Sequence, residues 1–450
     1  MSKPKEYSWM TKDKLMTYTA ISLAILVGIS VLTFGYNSII VALVAVAVAV
    51  GIDVLLSKVA ADAQLNIMSA TVFGLVVACS YTLGLPTQGI TPPATYPLNA
   101  TMQGGGLYIY PALISMVGMV LFKKTMKSRK FVNPAAAAKL LVLVFLFAIA
   151  LTPSEHVQMF PSLQSSLTLN IAPAGQTVPP FGFGLALQQC FGQSFSAYKP
   201  DFSGLVTTTQ ADVLYTLSIM KYHGWIGGIS SIAVLAVGIA LFAVARRYIK
   251  WRITAAYLVT VAIVAFALSF VYADADPILR AAFHLFIGSS IFLAFFMATD
   301  PATTPLTYAG QAIFGVGLGV LSVLFVTYMN GFFGGSILAL VIMNLTSPWL
   351  DKVGRSKPMT ESKEPKLPKP IQQTTVTTYE CIRCGACMRV CCHRLSPILI
   401  KQAFDKSDVE TLSKLNADYC TGCGHCSFVC PARIDLKGSV LRSKAMLRQE

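Results

Sequence analysis

The sequence predicts an all-α polytopic membrane protein of about ten transmembrane helices, followed by a small helical domain that gathers most of the cysteines. Of its 450 residues 54% are hydrophobic and only 12% are charged, a balance foreign to soluble domains of this length. A hydrocarbon core of about 30 Å takes about 20 apolar residues per helical crossing, and the first 350 residues supply that length many times over. Eight of the 11 cysteines fall in two tight groups between Cys381 and Cys430.

Apolar runs place spans near 14–33, 35–56, 66–85, 105–122, 135–152, 225–245, 253–272, 280–298, 309–328 and 331–350. The first run lacks a small-residue cleavage site and leads directly into further spans, so it reads as a retained helix and not as a secretory leader. Lys3, Lys5 and Lys12 precede the first span, Lys58 follows the second, and Lys123, Lys124, Lys127, Arg129 and Lys130 follow the fourth. Arg246, Arg247, Lys250 and Arg252 follow the sixth, while the alternate loops are nearly free of basic residues and one carries Asp274 and Asp276. By the positive-inside rule both termini face the cytoplasm of a prokaryotic inner membrane, and an even number of crossings agrees. The formal charge of +15 therefore reads as topology, with the lipid membrane as partner and no nucleic acid.

The membrane domain is expected over residues 1–354, with an outer loop at 153–224 broken by Pro153, Pro161, Pro173, Pro179 and Pro180. A proline- and lysine-bearing linker, 355–378, leads to the C-terminal domain, 379–450. No internal repeat stands out in the sequence.

Cys381, Cys384, Cys387 and Cys391, and again Cys420, Cys423, Cys426 and Cys430, each follow C-x2-C-x2-C-x3-C, the spacing of bacterial two-cluster ferredoxins. Two-residue gaps let a tight loop aim three thiolates at one 4Fe-4S cubane, and the fourth cysteine serves the other cluster. Zinc sites would need four ligands at one centre and give no reason for the doubled spacing. Gly385, Gly422 and Gly424 let the backbone curl around the sulfides. Pro431 follows the second run, whereas Cys392 follows the first, so either Cys391 or Cys392 is the fourth ligand there. Ser407-Asp408-Val409-Glu410 is a capping-box pattern that opens a helix between the two motifs.

Phe283-His284-Leu285, the block Phe295-Phe296-Met297-Ala298-Thr299-Asp300-Pro301 with Pro305, and Asn133-Pro134-Ala135 resemble the D component of the Rnf electron-transport complex and the B component of the sodium-pumping NADH:quinone reductase over about residues 14–350. The C-terminal domain, including Ile434-Asp435-Leu436, resembles the helical ferredoxin region of the C component of the Rnf complex. The resemblance implies FMN phosphoester-linked to a threonine of a Ser-Gly-Ala-Thr motif in the outer loop. Here the chain reads Ser203-Gly204-Leu205-Val206-Thr207-Thr208-Thr209, a departure that leaves covalent attachment open, with Thr209 the first candidate before Thr208 and Thr207. Ser69-Ala70-Thr71 looks closer to the motif but fits a helix-packing contact better.

Thr299 and Asp300, beside Pro301, and Asn133 are further cofactor candidates, because a broken helix end offers backbone groups to a ligand such as riboflavin or quinone. The plainer reading is helix capping. A lone intramembrane His284 does not suffice for a bis-histidine haem. Lys139 is expected to snorkel to the interface, and Trp225, Trp251 and Trp349 to form an aromatic belt.

The expected function is electron transfer as a subunit of an Rnf-like membrane redox complex. Electrons would pass between a low-potential donor such as soluble ferredoxin, two 4Fe-4S clusters, and flavin or quinone in the membrane, coupled to Na+ or H+ translocation through other membrane and cytoplasmic subunits. Two alternatives stand beside it: a non-pumping anchor and electron conduit for a partner oxidoreductase, and a transporter whose cluster domain senses redox state. No nucleophile, triad or phosphate loop is visible, and few carboxylates fall inside the spans.

Overall fold

A computed structural model of the protein describes residues 10–34, 36–59, 65–81, 106–124, 131–150, 218, 225–271, 277–286, 290–328, 335–354 and 378–448. The outer loop, with Cys190 and Thr207, Thr208 and Thr209, lies outside the described residues except Ser218, and so does nearly all of the linker.

Among the described residues the protein is helical and has no strand. Four helices are long and apolar enough to cross a bilayer: α1 (Lys12–Phe34), α2 (Asn37–Val59), α7 (Trp251–Val271) and α10 (Tyr308–Tyr328). Shorter apolar helices fill the bundle between them: α3 (Ile67–Cys79), α4 (Gly106–Val117), α5 (Pro134–Ala150), α6 (Ser231–Val244), α8 (Pro277–Phe286), α9 (Ser290–Phe292) and α11 (Gly335–Leu350). Small residues set the helix spacing, as lipid-embedded packing demands. A Cβ added to Gly74 of α3 would stand 2.7 Å from the Cα of Val46 in α2, and one added to Gly315 of α10 would stand 2.8 Å from the carbonyl oxygen of Ile253 in α7.

Several expected spans are interrupted. α3 ends at Cys79 after 13 residues, about 20 Å of rise, and the Tyr81 carbonyl then accepts from the amide of Ile226 at 2.9 Å. A short 3-10 turn, Ile226–Gly228, precedes α6, which starts six residues later than the span expected from Trp225 and is capped by Ser230. The expected span 280–298 divides into α8 and α9, the latter running on as a π-helix over Leu293–Met297. A second π-helix, Gly118–Lys124, extends α4.

The C-terminal domain holds α12 (Ala386–Arg389), α13 (Pro397–Phe404), α14 (Val409–Lys414), α15 (His425–Val429) and α16 (Leu436–Leu447). Its core is Leu395, Ile398, Ile400, Leu412, Leu436 and Val440. The helix expected from the capping-box pattern forms, but its cap is Asp408, whose side chain accepts from the amide of Thr411. Ser407 instead takes a left-handed φ of 53° and returns its amide to the Phe404 carbonyl, closing α13.

Candidate functional site

The two cysteine motifs fold into matching halves. Each motif leads into a one-turn helix, α12 or α15, and then a longer one, α13 or α16, and left-handed residues recur at the same three places: Arg383 and Gly422, Gly385 and Gly424, Arg394 and Arg433. These positions curl the chain around two cavities. Cys381, Cys384 and Cys387 line one together with Cys430, and Cys420, Cys423 and Cys426 line the other together with Cys391. Each cavity thus draws three thiols from one motif and the fourth from its twin, the crossing that the ferredoxin spacing calls for. Cys392 lines neither cavity; it is exposed, with its Sγ 3.8 Å from that of Cys423.

The donor set fits cubane clusters. Each cavity is ringed by four thiols, three from one motif and one from the other, the set that a cubane takes around its core. The amides of Arg383, Leu395 and Gly422 donate to the sulfurs of Cys381, Cys391 and Cys420 at 3.3, 3.3 and 3.4 Å, the contacts that stabilise thiolate charge. Burial pushes the Cys384 and Cys426 thiols up to about 12 and the Cys387 thiol well above its usual value. At exposed Cys423 the burial penalty is outweighed by hydrogen bonds from His425 and Cys392, and its thiol lies below the usual value.

The half of the domain that holds Cys381, Cys384, Cys387 and Cys430 sits on one end of the helical bundle. Met10, Leu15, Ala245 and Tyr248 pack there against Ile382, Cys384, Ala386 and Val429. The Lys12 amide donates to the Pro431 carbonyl at 3.0 Å, and Tyr379 Oη donates to Asp13 Oδ2 at 2.6 Å. Arg389 donates to the carbonyls of Arg247 and Ile249. Buried Arg383 pairs with Asp351 at the end of α11, 2.9 Å away, and also reaches Gln402 Oε1 at 3.2 Å. The other oxygen of Asp351 accepts from the Leu306 amide at 2.8 Å. One guanidinium therefore ties a cysteine loop to a membrane helix, and the carboxylate it meets fixes the loop after Pro301.

That loop borders a cavity, partly open to solvent, between the bundle end and the C-terminal domain. Asn133, Thr299 and Asp300 all line it, so folding brings Asn133 to a pair of candidates that the sequence places far from it. Asn133 Oδ1 accepts from the amides of Ala135 and Ala136 at 3.1 and 3.2 Å, and its Nδ2 donates to the Met297 carbonyl at 3.4 Å. Asp300 Oδ1 accepts from the Ala302 amide at 3.1 Å, and Thr299 Oγ1 donates to the Phe295 carbonyl at 2.6 Å. Thr299 thus satisfies a carbonyl at the helix end, Asn133 caps the start of α5, and Asp300 holds a turn, all three at the cavity. Asn133-Pro134-Ala135 and Asp300-Pro301-Ala302 resemble one another in sequence, and in both the side-chain oxygen accepts from the amide two residues on; Asn133 opens α5, whereas Asp300 opens a turn just after the π-helix of Leu293–Met297. Lys12, Lys123 and Asp53 also line the cavity. Cys381 and Ile382 line both this cavity and the inner cysteine cavity, so the two share one loop.

Two sequence expectations are corrected. Lys139 does not snorkel: it is buried, donates to the Ser80 carbonyl at the end of α3, and lies 4.6 Å from the ring centroid of Trp225. A helix C-terminus and a ring face supply the negative charge that solvent would otherwise provide. Trp225 is only 1% exposed and belongs to the core, whereas Trp251 and Trp349 remain exposed as an interfacial belt requires. Arg383, Asp351 and Lys250 escaped sequence reading. Lys250 is buried and donates to the carbonyls of Pro301 and Thr304 and to Thr304 Oγ1 at 2.9–3.0 Å, shaping the cavity loop from below. The one signal that could have found them was an arginine standing where the second motif has glycine.

The profile of the NQR2, RnfD, RnfE family matches residues 94–360, and that of a 4Fe-4S dicluster domain matches residues 380–434. The chain is 26% identical over 253 residues to the D component of the Na(+)-translocating ferredoxin:NAD(+) oxidoreductase complex of Acetobacterium woodii, covering 55% of this chain and 66% of that one. It is 34% identical over 144 residues to the D component of an ion-translocating oxidoreductase complex of Mannheimia succiniciproducens, covering 32% and 38%. It is 26% identical over 353 residues to the component of the same name from Shewanella sediminis, covering 72% and 87%. The match thus spans less than two thirds of the Acetobacterium and Mannheimia proteins.

Proposed function

The chain belongs to the NQR2, RnfD, RnfE family and ends in a 4Fe-4S dicluster domain, and from that premise we propose that it is an electron-transfer subunit of an Rnf-like membrane redox complex. It carries electrons between a low-potential donor on the cytoplasmic side and a flavin or quinone in its membrane domain. When bound, the two 4Fe-4S clusters supply one-electron transfer, and a flavin supplies the exchange between one- and two-electron chemistry. Cys381, Cys384, Cys387 and Cys430 are the ligands of the inner site, and Cys391, Cys420, Cys423 and Cys426 those of the outer one; Cys392 is not a ligand. Asn133, Thr299 and Asp300, with Lys123, would hold the cofactor in the cavity between the bundle end and the C-terminal domain.

The observation that carries this reading is the shared loop: Cys381 and Ile382 stand between the inner cysteine site and the cavity of Asn133 and Asp300. No other group has to intervene. Lys12, Lys123 and Lys250 collect at the bundle end that bears the C-terminal domain, which supports a cytoplasmic location for that domain. Thr209, with Thr208 and Thr207, is the proposed attachment point of a second flavin in the outer loop.

Asp53, a buried carboxylate of α2, accepts from the Asn66 amide at 2.9 Å, and coupling to Na+ or H+ is assigned to partner subunits. Anaerobic purification with assay of iron, acid-labile sulfide and flavin tests the whole reading. Roughly eight irons per chain with bound flavin or quinone is expected; stoichiometric zinc with little iron would end it.

A further inference from the structure

The two cysteine sites differ in exposure. The inner one is pressed against the bundle, whereas the outer one opens outward: Cys392, Arg394, Thr421, Cys423, His425 and Phe428 are all exposed. The contact between the Cys392 and Cys423 sulfurs joins the loop that carries Arg394 to the loop that carries His425. His425 and Phe428 lie three residues apart on α15 and share a face. Phe428, at 44% exposure, is the only large hydrophobic side chain markedly exposed in residues 378–448, among the described residues. Neither cysteine loop carries a carboxylate: residues 381–404 and 419–434 contain no Asp or Glu but include Arg394, Lys401, Arg433, His393 and His425. Lys437 lines the outer cavity itself.

An exposed aromatic pair in a rim of net basic charge, whose exposed acid beside Lys437, Asp435, is itself met by Arg442 at 3.9 Å, is the arrangement of a protein interface whose partner brings carboxylates around an apolar centre. We propose that this face docks a small acidic electron-carrier protein, with Phe428 as its apolar anchor and Arg394, His425 and Lys437 as its steering rim. The proposal rests on the electron-conduit reading and adds the entry point and the charge of the partner. Cys391, Cys420, Cys423 and Cys426 would hold the cluster that supplies one-electron exchange with the docked carrier. One side is oxidised as the other is reduced, and no bond is made or broken. Charge around the contact speeds encounter, so association should weaken steeply with added salt.

The test uses the full chain in lipid nanodiscs and an acidic two-cluster ferredoxin as probe, with binding measured by surface-immobilised titration at two ionic strengths. Phe428→Ser and Arg394→Glu should each weaken binding by about tenfold. Lys406→Glu, beyond the far end of α13, should leave it unchanged. Iron content, measured on the same samples, should stay at wild-type level in all three variants. Equal binding by all variants, binding indifferent to salt, or no binding to chain that carries its full iron would overturn the docking proposal and leave the conduit reading standing. Absence of iron from the wild type would instead remove the conduit reading itself.

Discussion

Arg383 stands at a left-handed φ of 53° where its twin in the second motif is Gly422 at 73°. Such a conformation costs a non-glycine residue about 1–2 kcal/mol, and its retention here is offset by the buried pair with Asp351. Arg383→Gly relieves the backbone but leaves the buried Asp351 carboxylate without its guanidinium, a loss of roughly 3–5 kcal/mol in contacts of this kind. We expect both cysteine sites to keep their iron, because the amide that donates to Cys381 remains, while hydrogen exchange over residues 382–386 quickens. Asp351→Asn on top of Arg383→Gly should restore part of that protection. Replacing Cys391 by serine should lower iron content to about half, and Cys392→Ser should leave it whole. Burial holds the Cys384 and Cys426 thiols at about 12, so each must release a proton to bind iron. Reconstitution of the metal-free protein should therefore release protons, and apparent iron affinity should rise with pH through the neutral range; a pH-independent titration would contradict this.

At the scale of elements, the close approach of α3 to α2 rests on Gly74, where a methyl group would meet the backbone of Val46 and not a side chain that could move. Gly74→Ala should therefore cost at least the usual 1–3 kcal/mol of overpacking, read as a lower midpoint of thermal unfolding in detergent. Asn133→Ala removes a cap worth about 1 kcal/mol and Asp300→Ala the turn bond to Ala302, and both should also lower bound flavin or quinone. The sequence made the long helices legible because α1, α2, α7 and α10 are unbroken apolar runs. Their interrupted neighbours were not, since hydropathy cannot tell a straight span from α3 meeting the turn at Ile226. Lys139 misled for the same reason: the acceptor that permits its burial, the Ser80 carbonyl, is a product of helix termination. The cysteine ligands were legible because their chemistry is written in spacing, but the choice between Cys391 and Cys392 needed the fold, which sets one thiol in the outer cavity and leaves the other exposed outside it.

For the whole molecule, the decisive feature is that a cysteine loop belongs to two sites at once. Asn133, Asp300 and Cys381 are scattered across the chain, and only folding brings them to one cavity at the junction of the bundle and the C-terminal domain. The junction is polar as well as apolar, combining the Arg383–Asp351 pair, the Tyr379–Asp13 hydrogen bond and the packing of Ile382 on Leu15 and Tyr248. The central claim is best tested by reductive titration of the anaerobically purified full chain, followed by electron paramagnetic resonance. The account predicts two 4Fe-4S signals that interact magnetically, because the two cysteine sets interleave, with Cys391→Ser removing one signal and the interaction together. A wild-type chain that takes up reductant without any iron–sulfur signal, or shows only one, would contradict it.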